Sequence, residues 1–274
     1  MNASSISQKP DIRYNSTLST IPGINQLTLQ AVVFDAYGTL YDIQSVAEIT
    51  EEAFPGYGDL ITQIWRIKQL EYSWLRSLMR RYQDFSFVTR DSLAYTLRTL
   101  GLRYDDETFG RIVDKYLHLD LYPDALGALS ALRDRTLAIL SNGSPDMLNA
   151  LVANSGLDRI LTATLSVDAH KAFKPSPEAY SLIEEKLGVK PANVLFVSSN
   201  PWDACGAKAF GLNVAWLERV TPEAMALACV ENDLLAPLTL FKALRTQMDA
   251  LGVEVDHRIR SLSELADIVA FHES

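Results

Sequence analysis

The chain has 274 residues, a formal net charge of −9 at pH 7 and 48% hydrophobic residues. This length suffices for one large domain or for a core with a smaller cap, and the negative charge argues against binding of nucleic acid or of an acidic membrane surface. Cys205 and Cys229 lack metal-ligand spacing, which is typical of proteins of a reducing compartment. No apolar stretch has transmembrane length, and residues 1–28 have the composition of a flexible N-terminal arm rather than of a secretion signal. We therefore expect a cytoplasmic protein without membrane contacts.

The first predicted element is a short apolar strand over residues 31–34, which ends at Asp35. A glycine turn and Thr39 follow directly. An uninterrupted apolar run of this kind is typical of a buried parallel strand, and open α/β sheets place their active sites at the carboxyl ends of such strands. Asp35 is therefore the first candidate for a reacting group.

Helical periodicity replaces the strand pattern between residues 43 and 119. Apolar residues recur at helical spacing from 60 to 82, and Thr89 and Asp105 are capping residue types that each begin a further helical pattern. These patterns predict an all-helical insert over residues 43–119.

Strand and helix patterns alternate over the rest of the chain. Predicted strands cover 136–140, 161–166, 194–198, 213–216 and 257–260, and predicted helices cover 145–155, 177–188 and 204–211, with a capping box from Ser261 to Glu264. Alternation of this kind predicts a parallel sheet with helices on both faces. The predicted fold class is therefore α/β, with a Rossmann-like parallel-sheet core over 29–42 and 120–274 that is interrupted by the helical cap. Residues 221–254 form an extra helical segment to which the sequence assigns no chemistry.

Polar side chains follow three more predicted strands. Ser141 and Asn142 begin a helix, where backbone N–H groups favour an anion, and Lys174 precedes a helix that carries Tyr180. The last of these three strand ends carries Ser198, Asn200, Trp202 and Asp203. Each residue alone is compatible with an ordinary cap, turn or loop, but their succession at consecutive strand ends indicates an active site.

These segments resemble the type II L-2-haloacid dehalogenases of the haloacid dehalogenase superfamily. The resemblance covers roughly residues 30–220 and rests on Asp35-Ala-Tyr37-Gly-Thr39, on Trp65-Arg66-Ile-Lys-Gln-Leu70-Glu-Tyr and on Ser198-Ser-Asn200-Pro-Trp202-Asp203. The last two segments are far more specific than the first. The resemblance implies the haloacid dehalogenase fold with a helical-bundle cap.

The resemblance also implies a reaction, the hydrolysis of small (S)-2-haloalkanoic acids to (R)-2-hydroxy acids with inversion. Asp35 would attack C2 of the haloacid and form an ester, which a water molecule activated by Asp203 would then hydrolyse. Lys174 would be the counter-charge of Asp35. The other implied roles are water-network contacts for Ser198 and Asn200, orientation of Asp35 and the substrate carboxylate by Thr39, Ser141 and Tyr180, halide binding by Arg66, Asn142 and Trp202, and an apolar wall from Tyr37, Leu70 and Phe85.

Metal use is disfavoured by two positions. Phosphatases of this superfamily carry a second aspartate two residues after the nucleophile and hold Mg²⁺ with an acid of the last motif, but this chain has Tyr37 and Ser199 there. We therefore predict no metal and no cofactor, with only the 2-haloacid and water as reaction partners. The alternatives are a Mg²⁺-dependent phosphatase of small metabolites, a non-enzymatic binding or scaffold protein of the same fold, and a dehalogenase that prefers fluoroacetate. By resemblance alone we expect a homodimer that forms through the cap helices.

Overall fold

The computed structural model of the protein describes residues 28–231 and 242–272. Its strands are β1 (Ala31–Phe34), β2 (Tyr41–Asp42), β3 (Asp120–Leu121), β4 (Thr136–Ser141), β5 (Ala163–Ser166), β6 (Val194–Ser198), β7 (Asn213–Leu217) and β8 (His257–Ile259). Its helices are α1 (Ala47–Ala53), α2 (Gly58–Leu78), α3 (Phe85–Thr99), α4 (Asp106–Asp114), α5 (Ala125–Ala131), α6 (Pro145–Ser155), α7 (Pro177–Leu187), α8 (Pro201–Phe210), α9 (Pro222–Glu231) and α10 (Leu265–Phe271). The predicted arm lies outside the described residues except for Thr28.

A six-stranded sheet in the order β5-β4-β1-β6-β7-β8 forms the centre of the fold, and each pair of neighbours is parallel. The four residues of β1 are at most 1% exposed, which requires that both faces of the sheet are covered. The strand order reverses at β1, because β4 lies on one side of it and β6 on the other. The crevice at the carboxyl end of such a strand is the usual ligand position in open α/β sheets. The predicted parallel α/β core is confirmed.

Along the chain, the helices α1–α4 come after β2 and before β3, and these two strands pair with each other as a short antiparallel ribbon. In this part of the chain α2 packs against α1 and α3. The ribbon flanks the predicted limits of the helical insert, residues 43–119, and the division into a core and a cap stays a prediction. Within the described ranges, no helix has both the length and the apolar character that a membrane crossing requires.

The start of α3 was predicted wrongly. The helix begins at Phe85, and its cap is Asp84, whose carboxylate accepts the backbone N–H of Ser86 at 2.8 Å. Thr89, the predicted first residue, lies one turn inside the helix and is fully buried. Its hydroxyl accepts the side-chain amide of Gln69 at 2.8 Å, so a tertiary contact uses the group that the sequence suggested as a cap.

The start of α8 also differs from the prediction, since the helix begins at Pro201 rather than at Ala204. Proline is well suited to the first helical position, because its missing N–H would have no partner within the helix. Trp202 and Asp203 therefore stand on the first turn of a helix.

The extra segment over 221–254 is helical only in part. The helix α9 covers its beginning, residues 232–241 lie outside the described residues, and residues 244–254 follow turns and bends. Gly252 in this last part has a left-handed φ of 74°, which interrupts a helix. The predicted capping box at the C-terminal end is confirmed, because Ser261 and Glu264 make both of its hydrogen bonds.

Close packing at Gly206 of α8 leads to a first prediction. A Cβ atom at this position would lie 2.5 Å from Pro175 Cβ and 2.6 Å from the Tyr180 hydroxyl. We expect Gly206→Ala to lower the free energy of unfolding by about 1–3 kcal/mol through overpacking, although alanine is otherwise the better helix residue by about 1 kcal/mol. Urea denaturation measures the change.

The control for this prediction is Gly127 in α5, where a Cβ atom would meet no atom within 4 Å. Gly127→Ala is expected to be neutral or stabilising. A similar stability change in both variants would contradict the packing argument.

Candidate active site

Three charged residues meet at the carboxyl edge of the sheet. Asp35 directly follows β1, Asp203 stands on α8 after β6, and Lys174 lies between β5 and α7. The ammonium group of Lys174 donates to Asp35 Oδ1 and to Asp203 Oδ2, each at 2.8 Å. The side chains of Lys174, Asp35 and Asp203 are 1%, 6% and 0% exposed, so the three charges interact with almost no screening by solvent.

The protonation of this cluster follows from burial and from the mutual charges. Burial alone would lower the pKa of Lys174, but Asp203 and Asp35 together outweigh it and raise this pKa above its ordinary value. Burial raises the pKa of Asp203, and the charge of Asp35 adds to the rise, whereas Lys174 opposes it. Two carboxylates share one ammonium group here, so hydrogen-bond donors must stabilise the second negative charge.

Those donors hold the other oxygen of Asp35. Its Oδ2 accepts the Thr39 hydroxyl at 3.0 Å and the Asn200 amide at 2.8 Å. The same Asn200 amide donates to the backbone oxygen of Tyr37 at 3.1 Å, and the Thr39 hydroxyl accepts the backbone N–H of Ser199 at 2.9 Å. The Asp35 carboxylate is therefore fixed by groups from its own loop and from the loop after β6.

Asp203 is held in a similar way. The hydroxyl of Ser198 donates to its Oδ2 at 2.9 Å, and the hydroxyl of Tyr180 donates to its Oδ1 at 2.7 Å. Burial and the charge of Asp203 keep the pKa of Tyr180 well above its ordinary value, so this donor stays protonated. Among the described residues no hydrogen bond joins Tyr180 to Asp35, and the orientation of a substrate carboxylate by Tyr180 stays a prediction. Because α7 packs against α8, the tyrosine reaches Asp203 instead.

Arg66 of α2 approaches the site from the helical insert. It is 3% exposed, and its Nη1 donates to Gln69 Oε1 at 2.9 Å. The Tyr116 hydroxyl donates to the same oxygen at 3.4 Å, and the Gln69 amide donates to Thr89. Burial lowers the pKa of Arg66, while Tyr116 and Asp35 oppose this change. Gln69 was not predicted as a site residue, although its position three residues after Arg66 places both on one helix face.

The loop after β4 contributes Ser141 and Asn142, as the sequence predicted. The side-chain oxygen Oδ1 of Asn142 accepts a hydrogen bond from the backbone N–H of Lys174 at 2.8 Å. The Ser141 hydroxyl accepts one from the backbone N–H of Gly143 at 3.2 Å. Both side chains are buried. The first of these bonds ties the β4 loop directly to the segment that carries the ammonium group.

The predicted wall residues fall into two groups. The rings of Tyr37 and Phe85 are buried, with centroids 5.7 Å apart. Leu70 and Trp202 line a cleft of about 390 Å³ that reaches Asn200. In this part of the described chain no hydrogen bond or cation–π contact joins Trp202 to Arg66 or Asn142, and its indole packs edge-on against the Trp74 ring at 5.5 Å. The structure therefore places the three predicted halide ligands around the site without direct contact between the indole and the other two.

Arg245 is a further residue at the site that was not predicted from the sequence. Its Nη2 donates to the backbone oxygen of Gly38 at 3.2 Å and to the hydroxyl of Ser199. A Cβ atom on Gly38, whose φ is 87°, would lie 3.0 Å from this guanidinium group, so the close approach requires glycine. Arg245 lies in the segment that the family resemblance did not cover, which explains why motif comparison missed it.

The donor set does not suit a divalent cation. Lys174, Thr39 and Asn200 donate to the oxygens of Asp35, and the Asn200 amide also occupies the nearby backbone oxygen of Tyr37. Among residues 28–231 and 242–272, no three His, Cys, Asp or Glu side chains are grouped as metal ligands. Magnesium requires several oxygen ligands in octahedral geometry, and the oxygens here already bind N–H and O–H donors.

The buried charge cluster leads to a prediction for Lys174→Met. The variant leaves two buried carboxylates without a cation, so the free energy of unfolding at pH 8 is expected to fall by about 3–5 kcal/mol. The deficit should shrink as the pH is lowered toward 5. Burial raises the pKa of Asp203, and the variant lacks the lysine that opposes this rise. The folded variant therefore takes up a proton on Asp203 before the unfolded chain does, and this uptake favours the folded state.

Lys208→Met serves as the matched control, because Lys208 forms a partly exposed ion pair with Asp256 at 2.7 Å. A surface pair of this kind contributes at most about 1 kcal/mol. Denaturant titrations of both variants at several pH values provide the measurement. Equal losses for the two lysines, or a deficit for Lys174→Met that does not change with pH, would contradict the described charge balance.

Comparison with known proteins agrees with this geometry. The model of the haloacid dehalogenase-like hydrolase family matches residues 29–211. An (S)-2-haloacid dehalogenase of Xanthobacter autotrophicus is 54% identical over 241 residues, which are 88% of this chain and 95% of that protein. Haloacetate dehalogenase H-2 of Moraxella sp. (strain B) is 47% identical over 193 residues, which are 70% of this chain and 86% of that protein.

A solved structure shows the same similarity. The L-2-haloacid dehalogenase from Xanthobacter autotrophicus with chloropropionic acid covalently bound is 53% identical, with a TM-score of 0.84 over 88% of this chain and 98% of that one. The family match includes β1 followed by Asp35, the helical insert with Arg66 and the helix α8 with Asp203. On these grounds the chain belongs to the haloacid dehalogenase-like hydrolases, and the resemblance to the L-2-haloacid dehalogenases is confirmed.

Proposed function

We propose that this enzyme hydrolyses the carbon–halogen bond of small (S)-2-haloalkanoic acids and releases halide and the (R)-2-hydroxy acid. The observation that carries the proposal is the Asp35 carboxylate, which donors from separate loops hold at the switch point of the sheet. Two residues later the chain has Tyr37, where a phosphatase would need an acid for its leaving group. The similarity to proteins that dehalogenate (S)-2-haloacids and haloacetate supports this choice.

In the first step Asp35 is the nucleophile. One of its carboxylate oxygens forms a bond to C2 of the haloacid while the carbon–halogen bond breaks, and the halide leaves with the bonding electrons. Attack from the side opposite the halogen inverts C2. Thr39, Lys174 and Asn200 orient the carboxylate, and its fixed position contributes to the rate because the reacting atoms need no further ordering.

In the second step water attacks the carboxyl carbon of the ester on Asp35. Asp203 accepts a proton from this water and is itself positioned by Lys174, Ser198 and Tyr180. Cleavage of the bond between the carboxyl carbon and the ester oxygen regenerates Asp35 and leaves the inverted configuration at C2 unchanged. The contact of Tyr180 with Asp203 supports a role in this step.

The remaining site residues bind substrate in this scheme. Arg66, Asn142 and Trp202 stabilise the halide, and Ser141 orients the substrate carboxylate. Tyr37, Leu70 and Phe85 enclose the alkyl part. The burial of Arg66 strengthens its interaction with an anion, because solvent screens a buried charge little.

We further propose that the reaction is independent of metals and cofactors. The support is the donor set around Asp35, in which Lys174 and Asn200 take the positions next to its oxygens. We also retain the division into a core and a helical cap over residues 43–119 as a proposal. The match to a haloacetate dehalogenase favours haloacetates, including fluoroacetate, as the second candidate substrates.

A homodimer through the cap helices completes the proposal, together with a cytoplasmic location. The carboxyl end of α2 exposes large apolar side chains, since Leu75, Leu78 and Met79 are 41%, 80% and 59% exposed. Light scattering that gives the mass of one chain would contradict the dimer. The buried free thiol of Cys205 is compatible with a reducing compartment.

The decisive test of the function is halide release from (S)- and (R)-2-chloropropionate, with and without EDTA. We expect release from the S enantiomer alone, formation of (R)-lactate and no effect of the chelator. Asp35→Asn should abolish this release, since an amide does not form the ester. Activity only on phosphate esters with Mg²⁺ would refute the proposal.

The division of roles between the two carboxylates gives a further prediction. Asp203→Asn should still form the ester but hydrolyse it slowly, so that the mass of the protein increases by one carboxyalkyl group, the haloacid without its halogen, after incubation with substrate. Peptide mapping should locate the added mass on the peptide that contains Asp35. Asp91→Asn, which alters an exposed pair with Arg76, is the control and should accumulate no adduct. An Asp203→Asn protein with normal turnover would contradict the assignment.

A further inference from the structure

Two buried hydrogen-bond donors near Asp35 have no acceptor among the described residues, the hydroxyl of Tyr37 and Nε of Arg66. Tyr37 is 3% exposed and Arg66 is 3% exposed. A buried donor without an acceptor costs about 1–3 kcal/mol, so native proteins rarely keep one without a functional reason. Two such donors in one neighbourhood indicate a group that accepts hydrogen bonds from both.

The position of Tyr37 relates both donors to the proposed halide ligands. Its ring centroid is 6.0 Å from that of Tyr116, and the Tyr116 hydroxyl shares the oxygen of Gln69 with Arg66. On the other side, a Cβ atom on Gly143 would lie 3.0 Å from the Tyr37 hydroxyl. The hydroxyl therefore lies beside the loop of Asn142 and in the electrostatic reach of Arg66.

The chemistry of these donors selects an anion. Arg66 carries a positive charge, and its Nη1 is already bound to Gln69, which leaves Nε for another acceptor. Burial and the neighbouring Tyr116 raise the pKa of Tyr37 far above its ordinary value, so its hydroxyl remains a donor at every working pH. A neutral O–H within the electrostatic reach of a guanidinium group matches a small anion that carries no protons of its own.

We propose that the Tyr37 hydroxyl is a further halide ligand, which donates a hydrogen bond to the departing halide beside Arg66. This inference rests on the proposed dehalogenase function and changes the role of Tyr37 from a wall residue to a donor. As the bond from Asp35 to C2 forms, the halide takes the electrons of the breaking bond, and Tyr37 keeps its proton throughout. The interaction strengthens as charge develops on the halogen, so it favours the transition state over the bound substrate.

The test compares Tyr37→Phe with the unaltered enzyme in a single turnover, where halide release reports the alkylation step. The variant retains the ring and its packing. We expect the rate with (S)-2-chloropropionate to fall about tenfold to a hundredfold, the range for loss of one hydrogen bond to a charged group. The loss with (S)-2-bromopropionate should be smaller, because bromide is larger, holds its charge more diffusely and is the better leaving group.

A second readout does not depend on turnover. Chloride that binds the folded enzyme raises its melting temperature with increasing concentration, and this gain should shrink in Tyr37→Phe when sodium gluconate keeps the ionic strength constant. The melting temperature without halide should not fall, because the variant removes a hydroxyl that has no acceptor. Tyr41→Phe is the matched control. Its buried hydroxyl pairs with Ser155 at 2.8 Å, so it should lose stability and keep the full response to chloride.

The outcomes separate this inference from the proposed function. Equal rate losses for chloride and bromide substrates, or an unchanged stabilisation by chloride, would overturn the role of Tyr37 while leaving the dehalogenase proposal intact. If the unaltered enzyme releases no halide from any haloacid, the proposed function fails. The chloride titration then still decides whether Tyr37 binds an anion.

Discussion

A single buried ammonium group between two buried carboxylates is the constraint on which the site depends. Lys174 neutralises one of the charges of Asp35 and Asp203, and its two 2.8 Å contacts leave the cluster with one net negative charge. Burial of an unpaired charge is costly, so the remaining carboxylate oxygens need neutral donors with fixed positions. The loops after β1 and β6 and the helix α7 supply these donors. Hydroxyl and amide side chains therefore surround the cluster because its two carboxylates carry one more charge than the ammonium group neutralises.

The same constraint separates this site from a metal site built on the same sheet. A divalent cation would compensate two carboxylates without help, whereas one lysine compensates half of their charge and takes up the space between them. The Asn200 amide, which donates to both Asp35 and the backbone oxygen of Tyr37, occupies two oxygens that a cation would otherwise use. Once the cation is a side chain, Asp35 retains a lone pair for attack on carbon. The replacement of an acid by Tyr37 then removes the proton donor that phosphate chemistry requires.

Those parts of the site that stand at strand ends were accessible from the sequence. Asp35 follows an apolar strand, and Ser141 and Ser198 each end one. The length and pattern of these strands are local in the sequence, and parallel pairing brings such ends together. Contacts between distant side chains were not accessible in this way. Thr89 looked like a helix cap because the sequence does not show that its hydroxyl accepts a hydrogen bond from Gln69. The approach of Arg245 to Gly38 depends on a segment whose helical pattern contains no recognisable motif. The spacing of motifs predicts well where the backbone lies, but it predicts poorly which side chains contact one another.

The halide side of the pocket draws its donors from two parts of the chain. Arg66 and Gln69 belong to α2 of the helical insert, whereas Asn142 follows β4, and the Tyr37 ring packs between Tyr116 and Phe85 from the insert. Because Arg66 stands on the insert whereas Tyr37 follows β1, a shift of the insert against the sheet would move one unpaired donor relative to the other. The proposed stabilisation of the leaving halide therefore requires that the insert keeps its position against the sheet. The nucleophile does not share this dependence, since the groups that fix Asp35 lie in loops at the carboxyl edge of the sheet itself.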